Sequence, residues 1–315
     1  MIGEATTAAA AAGPRPTAFI EARGLSERLA ADVVIATEAF QWTGSFKFRA
    51  AFSVARGVPH PSIIAASSGN FGQALALACQ ITGKRCTVVM PHNSVRMKVD
   101  AVRAYGAVAD LVDTTVISRH ERVLQLAAAD PDAYVASAYD DPLVIAGNAS
   151  LGRELAAAAS KSGRGFDAIV LPIGGGGLAA GVITGLRESG DHTRVWAAEP
   201  EMANDFAESL LAGRIVSHDV EAQTLADGAR TRSVGGRNWA ILQHGVAGAI
   251  EVPEDVIREA VRVLSCLANV KAEPTGALAV GALLADPNRF RGARVCCVVS
   301  GANADPALYA SLISD

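Results

Sequence analysis

The chain has 315 residues, 50% hydrophobic and 19% charged, with a mean hydropathy of +0.26 and a formal charge of −4. That is enough apolar material for one large domain or two intertwined ones. The lack of any basic block or aromatic–basic interleaving excludes a nucleic-acid binder, and no uninterrupted apolar stretch is long enough to span a membrane.

The five cysteines have no metal-ligand spacing. Cys86, Cys296 and Cys297 sit in β-like apolar runs and read as buried small hydrophobes. Reduced thiols, with no signal-peptide pattern, fit a cytoplasmic protein.

Along the chain, the Ala-rich segment Met1 to Pro16 is expected to be a disordered or loosely attached arm. From Pro61 onward, β-branched runs alternate with Ala/Leu-rich periodic stretches. Residues 62–66 read as a strand, 71–82 as a helix ending near Gly83, and 86–90 as a strand stopped by Pro91. Residues 95–105 read as a helix closed by Gly106, 108–112 as a strand, and 118–129 as a helix capped by Ser118 or Thr115.

A second series follows. It has a helix over 143–160, a strand over 167–172, a loop at 174–177, a helix over 178–188 and a strand over 194–198. A short helix over 204–212, a polar loop over 223–236, helices over 253–269 and 275–285, and a last strand over 294–299 complete it. The β-α rhythm implies α/β architecture with open, mostly parallel sheets flanked by helices. The two series predict two lobes: residues 62–137 as the smaller, and 1–61 with 138–315 as the larger.

Four segments carry chemistry. In Thr43-Gly44-Ser45-Phe46-Lys47-Phe48-Arg49-Ala50, a lysine lies between two phenylalanines, where lost solvation disfavours its ammonium form. A neutral lysine amine is the nucleophile for Schiff-base formation with an aldehyde cofactor. Ser67-Ser68-Gly69-Asn70-Phe71-Gly72-Gln73 lies between a strand and a helix, where outward-pointing amides suit a carboxylate or phosphate. Gly174-Gly175-Gly176-Gly177 occupies a second strand-to-helix turn, able to wrap an anion at close range. Ser300-Gly301-Ala302-Asn303 ends the final strand.

Together with Asp140-Asp141-Pro142, Ala198-Glu199-Pro200 and Glu273-Pro274-Thr275-Gly276-Ala277, these segments resemble the pyridoxal-5′-phosphate (PLP) enzymes of the two-lobed tryptophan-synthase-β fold (fold type II). Within it they resemble the serine/threonine dehydratase and serine racemase family, over about residues 15 to 305. The resemblance implies that Lys47 carries PLP as a Schiff base and acts as the base at Cα. Phe46 would pack beside the ring, Asn70 would bond the ring hydroxyl, Gly174, Gly175, Gly176 and Gly177 would hold the phosphate, and Ser300 would face the pyridine nitrogen. A hydroxyl there makes the ring a weaker electron sink, which suits β-elimination.

Ser67, Ser68, Gly69, Asn70, Phe71 and Tyr139 are the implied substrate contacts. Ser68 stands where a racemase of this family keeps its second acid–base group, so racemisation by Lys47 and Ser68 is the alternative reading. Glu199, Ala203 and Asp205 match the family's divalent-cation position, with oxygen ligands suited to Mg²⁺ or Ca²⁺.

The implied activity is a PLP-dependent ammonia-lyase converting a 3-hydroxy amino acid into a 2-oxo acid and ammonia, with a homodimer as the implied assembly. Phe48 occupies the place where β-replacement synthases of the fold carry aspartate, which disfavours that third activity. Phe71, where the family usually has histidine, and Tyr139, where Asn or Phe is more usual, point to a β-substituent larger or more apolar than that of threonine. Arg230 or Arg232, in the loop expected to line the pocket, could meet a side-chain carboxylate such as that of hydroxyaspartate.

Overall fold

The computed structural model describes residues 12–94 and 96–314. In chain order they form β1 (Ala18–Glu21), α1 (Arg23–Leu29), β2 (Asp32–Thr37), α2 (Lys47–Gly57), β3 (Ser62–Ala66), α3 (Asn70–Thr82), β4 (Arg85–Pro91) and α4 (Arg96–Ala104). Next come β5 (Val108–Val112), α5 (Arg119–Ala129), β6 (Ala133–Ala136), α6 (Pro142–Ser162), β7 (Ala168–Pro172), α7 (Gly177–Glu188), β8 (Arg194–Pro200) and α8 (Asp205–Ala212). The series ends with α9 (Gly236–Gly245), β9 (Val246–Val252), α10 (Glu254–Ala268), α11 (Pro274–Ala285), β10 (Arg294–Val299) and α12 (Pro306–Ile313).

The chain divides into two compact units. One holds Gln41–Thr43, Lys47–Gly147 and the described residues up to Arg15; the other holds Pro16–Phe40, Gly44–Phe46 and Asn148 onward.

In the first unit, β5-β4-β3-β6 form a wholly parallel sheet. The central β3 is buried along nearly its whole length, so its sequence is a continuous apolar run rather than an alternating one. Helix α2 lies outside the 62–137 segment assigned to this lobe from sequence, yet its buried residues Phe48, Ala51, Phe52 and Ala55 share one core with Phe71, Leu75 and Met90. Gly147 lets α6 approach α2, since a Cβ there would stand 2.5 Å from the Arg49 carbonyl oxygen. Ser118, not Thr115, caps α5, in a reciprocal capping box with Glu121. Val95, expected to open α4, lies outside the described residues.

The loose-arm expectation needs correction at Gly13 and Arg15. Trp42 Nε1 donates to the Gly13 carbonyl at 2.9 Å, Gln41 Nε2 donates to the Arg15 carbonyl at 2.6 Å, and the Arg15 guanidinium sits 3.7 Å from the Trp42 ring centre. Met1 to Ala11 lie outside the described residues.

In the second unit the sheet order is β1-β2-β10-β7-β8-β9, parallel except for the antiparallel β1–β2 pair. Strands β7 and β10 are buried at every residue. Helix α11 is buried on all sides from Pro274 to Leu283, as a helix apolar all round must be. Cys86, Cys296 and Cys297 are buried free thiols, as their apolar surroundings indicate. No helix among the described residues is long and apolar enough to cross a membrane.

Candidate active site

Lys47 is the first residue of α2. The backbone leading into it is fixed to the end of β10: Phe46 N donates to the Ser300 carbonyl at 2.9 Å, and Ser45 forms an antiparallel bridge with Gly301.

Within the first unit, Lys47 Nζ donates to the Ala138 carbonyl at 2.8 Å and lies 5.8 Å from the centre of the Phe71 ring. Phe71 is buried, so its ring gives the amine an apolar wall. The loop between β3 and α3 is organised by Ser67, whose Oγ accepts from Gly69 N at 3.3 Å and Gly72 N at 3.0 Å. Ser68, Gly69 and Asn70 follow, half-buried, with Asn70 opening the thirteen-residue α3. Such a helix start presents amides to an anion. Tyr139 is half-buried in the turn that carries the Ala138 carbonyl. Thus Lys47, Phe71 and the 138–139 turn are brought together, and the Ser67–Asn70 loop shares the start of α3 with Phe71.

In the second unit, the four glycines join β7 to α7. Gly176 has φ +89°, a conformation that side chains disfavour. A Cβ on Gly174 would stand 3.0 Å from Ala229 Cα. The loop is held from outside: Asn238 Nδ2 donates to the Gly175 carbonyl at 2.7 Å, and Asn148 Nδ2 donates to the Gly177 carbonyl at 3.0 Å. Ser300 ends β10, buried, and buried Glu273 donates its backbone N–H to the Gly301 carbonyl at 3.1 Å.

Sequence reasoning missed the parts played by Asn148, Asn238 and Glu273. Asn238 lies on α9, which begins at the last residue of the stretch that the sequence pattern reads as a polar loop and runs beyond it. The Glu-Pro-Thr-Gly-Ala segment was a matching motif without a role. Arg230 and Arg232, offered as partners for a substrate carboxylate, are engaged by their own loop: Arg230 Nε donates to the Thr224 carbonyl at 2.9 Å and Arg232 Nε to the His218 carbonyl at 2.9 Å.

Glu199 near the end of β8, Ala203 in the short 3₁₀ turn after it, and Asp205 at the start of α8 lie in one connected segment. Glu199 accepts from Ala207 N at 2.7 Å and Phe206 N at 3.2 Å. Burial pushes its carboxyl up to about 8 and that of Asp205 up to about 7. Asp205 Oδ2 is buried without a hydrogen-bond partner among the described residues. Two desolvated carboxylates, one with an orphan oxygen, have the chemistry of a hard-cation site completed by a backbone carbonyl. Among the described residues no three His, Cys, Asp or Glu side chains gather for a metal, so Ala203 and water would have to contribute.

Residues 10–301 match the protein family described as pyridoxal-phosphate dependent enzyme. The chain belongs to this family. It is 33% identical over 301 residues to an L-threo-3-hydroxyaspartate ammonia-lyase of Pseudomonas sp, covering 94% of this chain and 92% of that one. It is 33% identical over 278 residues to a serine racemase of Bos taurus, covering 85% and 81%. A solved T.th. threonine deaminase superposes with a TM-score of 0.86 at 37% identity, covering 96% of this chain and 97% of that one.

The residues present fit the family's cofactor. Lys47 supplies an amine, and at Gly174 and Gly176 of the cradle before α7 a side chain would crowd its neighbours. Two hydroxyls, Ser45 Oγ beside Gly301 and Thr231 Oγ1 beside Gly174, are buried without partners among the described residues.

Proposed function

We propose that this PLP-family enzyme is an ammonia-lyase acting on a 3-hydroxy amino acid. The observation that carries the reading is that the half-buried amine Lys47 directly follows Phe46, whose amide donates to the carbonyl of the strand-end residue Ser300. The names of the hydroxyaspartate ammonia-lyase and threonine deaminase relatives support it.

PLP, when bound, supplies an electron sink for the charge that develops at Cα. The Gly174–Gly177 amides would hold its phosphate at the positive end of α7, and Phe46 and Asn70 would flank its ring. Ser300 would offer the ring nitrogen a neutral hydroxyl, which favours early departure of a leaving group over long charge storage. The Ser67–Asn70 loop would orient the substrate carboxylate, and the Lys47 amine would take the proton from Cα. The Cα proton and the β-hydroxyl leave as water. Water is taken up again as nitrogen leaves, so the net products are a 2-oxo acid and ammonia.

Phe71 and Tyr139 favour a β-substituted substrate over serine. Glu199, the Ala203 carbonyl and Asp205 would bind Mg²⁺ or Ca²⁺ in a structural role. A cytoplasmic homodimer completes the reading.

Racemisation is the second reading, favoured by Ser68 at the start of the substrate loop and by the serine racemase relative. One experiment separates the two. The purified protein is scanned for a Schiff-base band near roughly 410 nm, then given L- and D-serine, threonine and threo-3-hydroxyaspartate with chiral and 2-oxo-acid detection. The lyase reading expects a band absent in Lys47→Ala and oxo-acid release fastest from a β-substituted substrate. Conversion to the mirror-image amino acid alone would establish the racemase.

A further inference from the structure

The Lys47 amine is held by a backbone carbonyl, and a carbonyl directs an amine only as well as its own peptide plane is held. The Ala138 carbonyl sits in the turn from Ser137 to Asp141, between β6 and α6. Ser137 braces this turn from within: its Oγ accepts from Asp140 N at 2.9 Å and Tyr139 N at 3.4 Å. Asp141, only 4% exposed, braces it from behind. One carboxylate oxygen accepts from Leu143 N at 2.7 Å and so starts α6; the other accepts from the Tyr134 hydroxyl at 2.7 Å.

Tyr134 lies on β6, paired with Ile63 of β3, and its ring is 5.5 Å from the His60 ring. A phenol before the turn and a carboxylate at its last residue therefore tie the two ends of the segment together, with Ala138 between them. Capping α6 needs only the first of the two oxygens. The second bond, at 2.7 Å to a buried carboxyl oxygen, fixes the turn rather than the helix.

We propose that Tyr134 and Asp141 are positioning residues for Lys47: by locking the Ala138 carbonyl they return the amine to one place whenever it is released from a covalent partner. The inference rests on Lys47 being the reacting amine, as proposed above.

The test uses Tyr134→Phe, which keeps the ring against His60 and removes only the hydroxyl, and Asp141→Asn, which keeps an acceptor for Leu143 N. In the PLP-loaded enzyme kcat and KM are measured. In the cofactor-free chain, acetylation of Lys47 by acetic anhydride is followed by mass spectrometry against exposed Lys161. Both variants are expected to lose kcat on the order of tenfold with KM within about twofold, and to change the relative labelling of Lys47 by about threefold or more. Unchanged labelling and kcat in folded variants would overturn the proposal. So would losses in kcat and KM that track a lower Tm while Lys47 labelling stays fixed. If no amino acid is turned over by the parent enzyme but labelling still differs, the positioning role stands and the lyase reading fails.

Discussion

Replacing Gly176 by alanine separates two costs that usually come mixed. The residue has φ +89°, and holding a side chain in left-handed backbone costs about 1–2 kcal/mol. The new Cβ would also stand 2.8 Å from Leu242 Cδ1, 3.0 Å from Val234 Cγ2 and 3.1 Å from Asn238 Cβ. Overpacking of that kind adds about 1–3 kcal/mol. Gly190, just beyond α7, has φ +70° but would place its Cβ within 4 Å of nothing. Gly190→Ala therefore carries the backbone cost alone. At roughly 3 °C per kcal/mol for a domain of this size, Tm should fall by roughly 10 °C in Gly176→Ala and by roughly 4 °C in Gly190→Ala.

The crowding also presses on Asn238, whose side chain holds the Gly175 carbonyl. PLP affinity, read by absorbance titration, should drop by about tenfold or more in Gly176→Ala and stay unchanged in Gly190→Ala, with tenfold corresponding to about 1.4 kcal/mol. Equal Tm losses in the two variants, or an unaltered PLP titration in Gly176→Ala, would refute the cradle argument.

Two further outcomes are expected. Gly185→Ala should lower Tm, because its Cβ would fall 2.0 Å from the Ala149 carbonyl oxygen and force α6 and α7 apart; the gain of about 1 kcal/mol in helix propensity is outweighed, and a higher Tm would show the crossing to be looser than described. Millimolar Mg²⁺ or Ca²⁺ should raise the Tm of the parent chain but not of Glu199→Gln/Asp205→Asn; an equal rise in both would remove the cation from this site.

What the sequence made legible is what local periodicity encodes. The strands at 62–66 and 294–299 are buried, largely apolar runs between turn residues, 108–112 is a β-branched run after Gly106, and all three bounds agree with β3, β10 and β5. Elements defined by distant partners were not legible. Strand β9 is an edge strand interrupted by Gly248, which is there because a Cβ would meet Trp196 Cζ3 at 2.8 Å, and its register slips beside Val195 and Trp196. Nothing within Val246–Val252 announces a neighbour fifty residues away. Strand β2 acquires its place from β10 and β1, which pair with it from distant parts of the sequence or across a helix.

The same division applies to the site. Lys47 and the glycine loop carry their chemistry in their own residue types. Asn148 and Asn238 bind backbone carbonyls of other segments, Tyr134 binds the Asp141 carboxylate, and an Asn or Tyr gives no sign of which carbonyl or carboxylate it will meet.

The two turns proposed to bind anions use one device, a strand end leading through glycine into a helix start, but they are built to different tolerances. At Gly176 three side chains close on the position a Cβ would take, and at Gly174 backbone atoms of 228 and 229 do the same. At Gly69 nothing lies within 4 Å, and its backbone is extended, with φ −128°. A loop backed by close packing at Gly174 and Gly176 is suited to hold one ligand shape through every cycle, as a resident phosphate would require. A loop open on one side can admit and release a ligand repeatedly, which is what a substrate carboxylate requires. The steric contrast between Gly176 and Gly69 accords with the proposal that the second turn holds the cofactor phosphate and the first the substrate carboxylate. It follows that substitutions at Gly69 should act on KM, whereas those at Gly176 should act on cofactor retention.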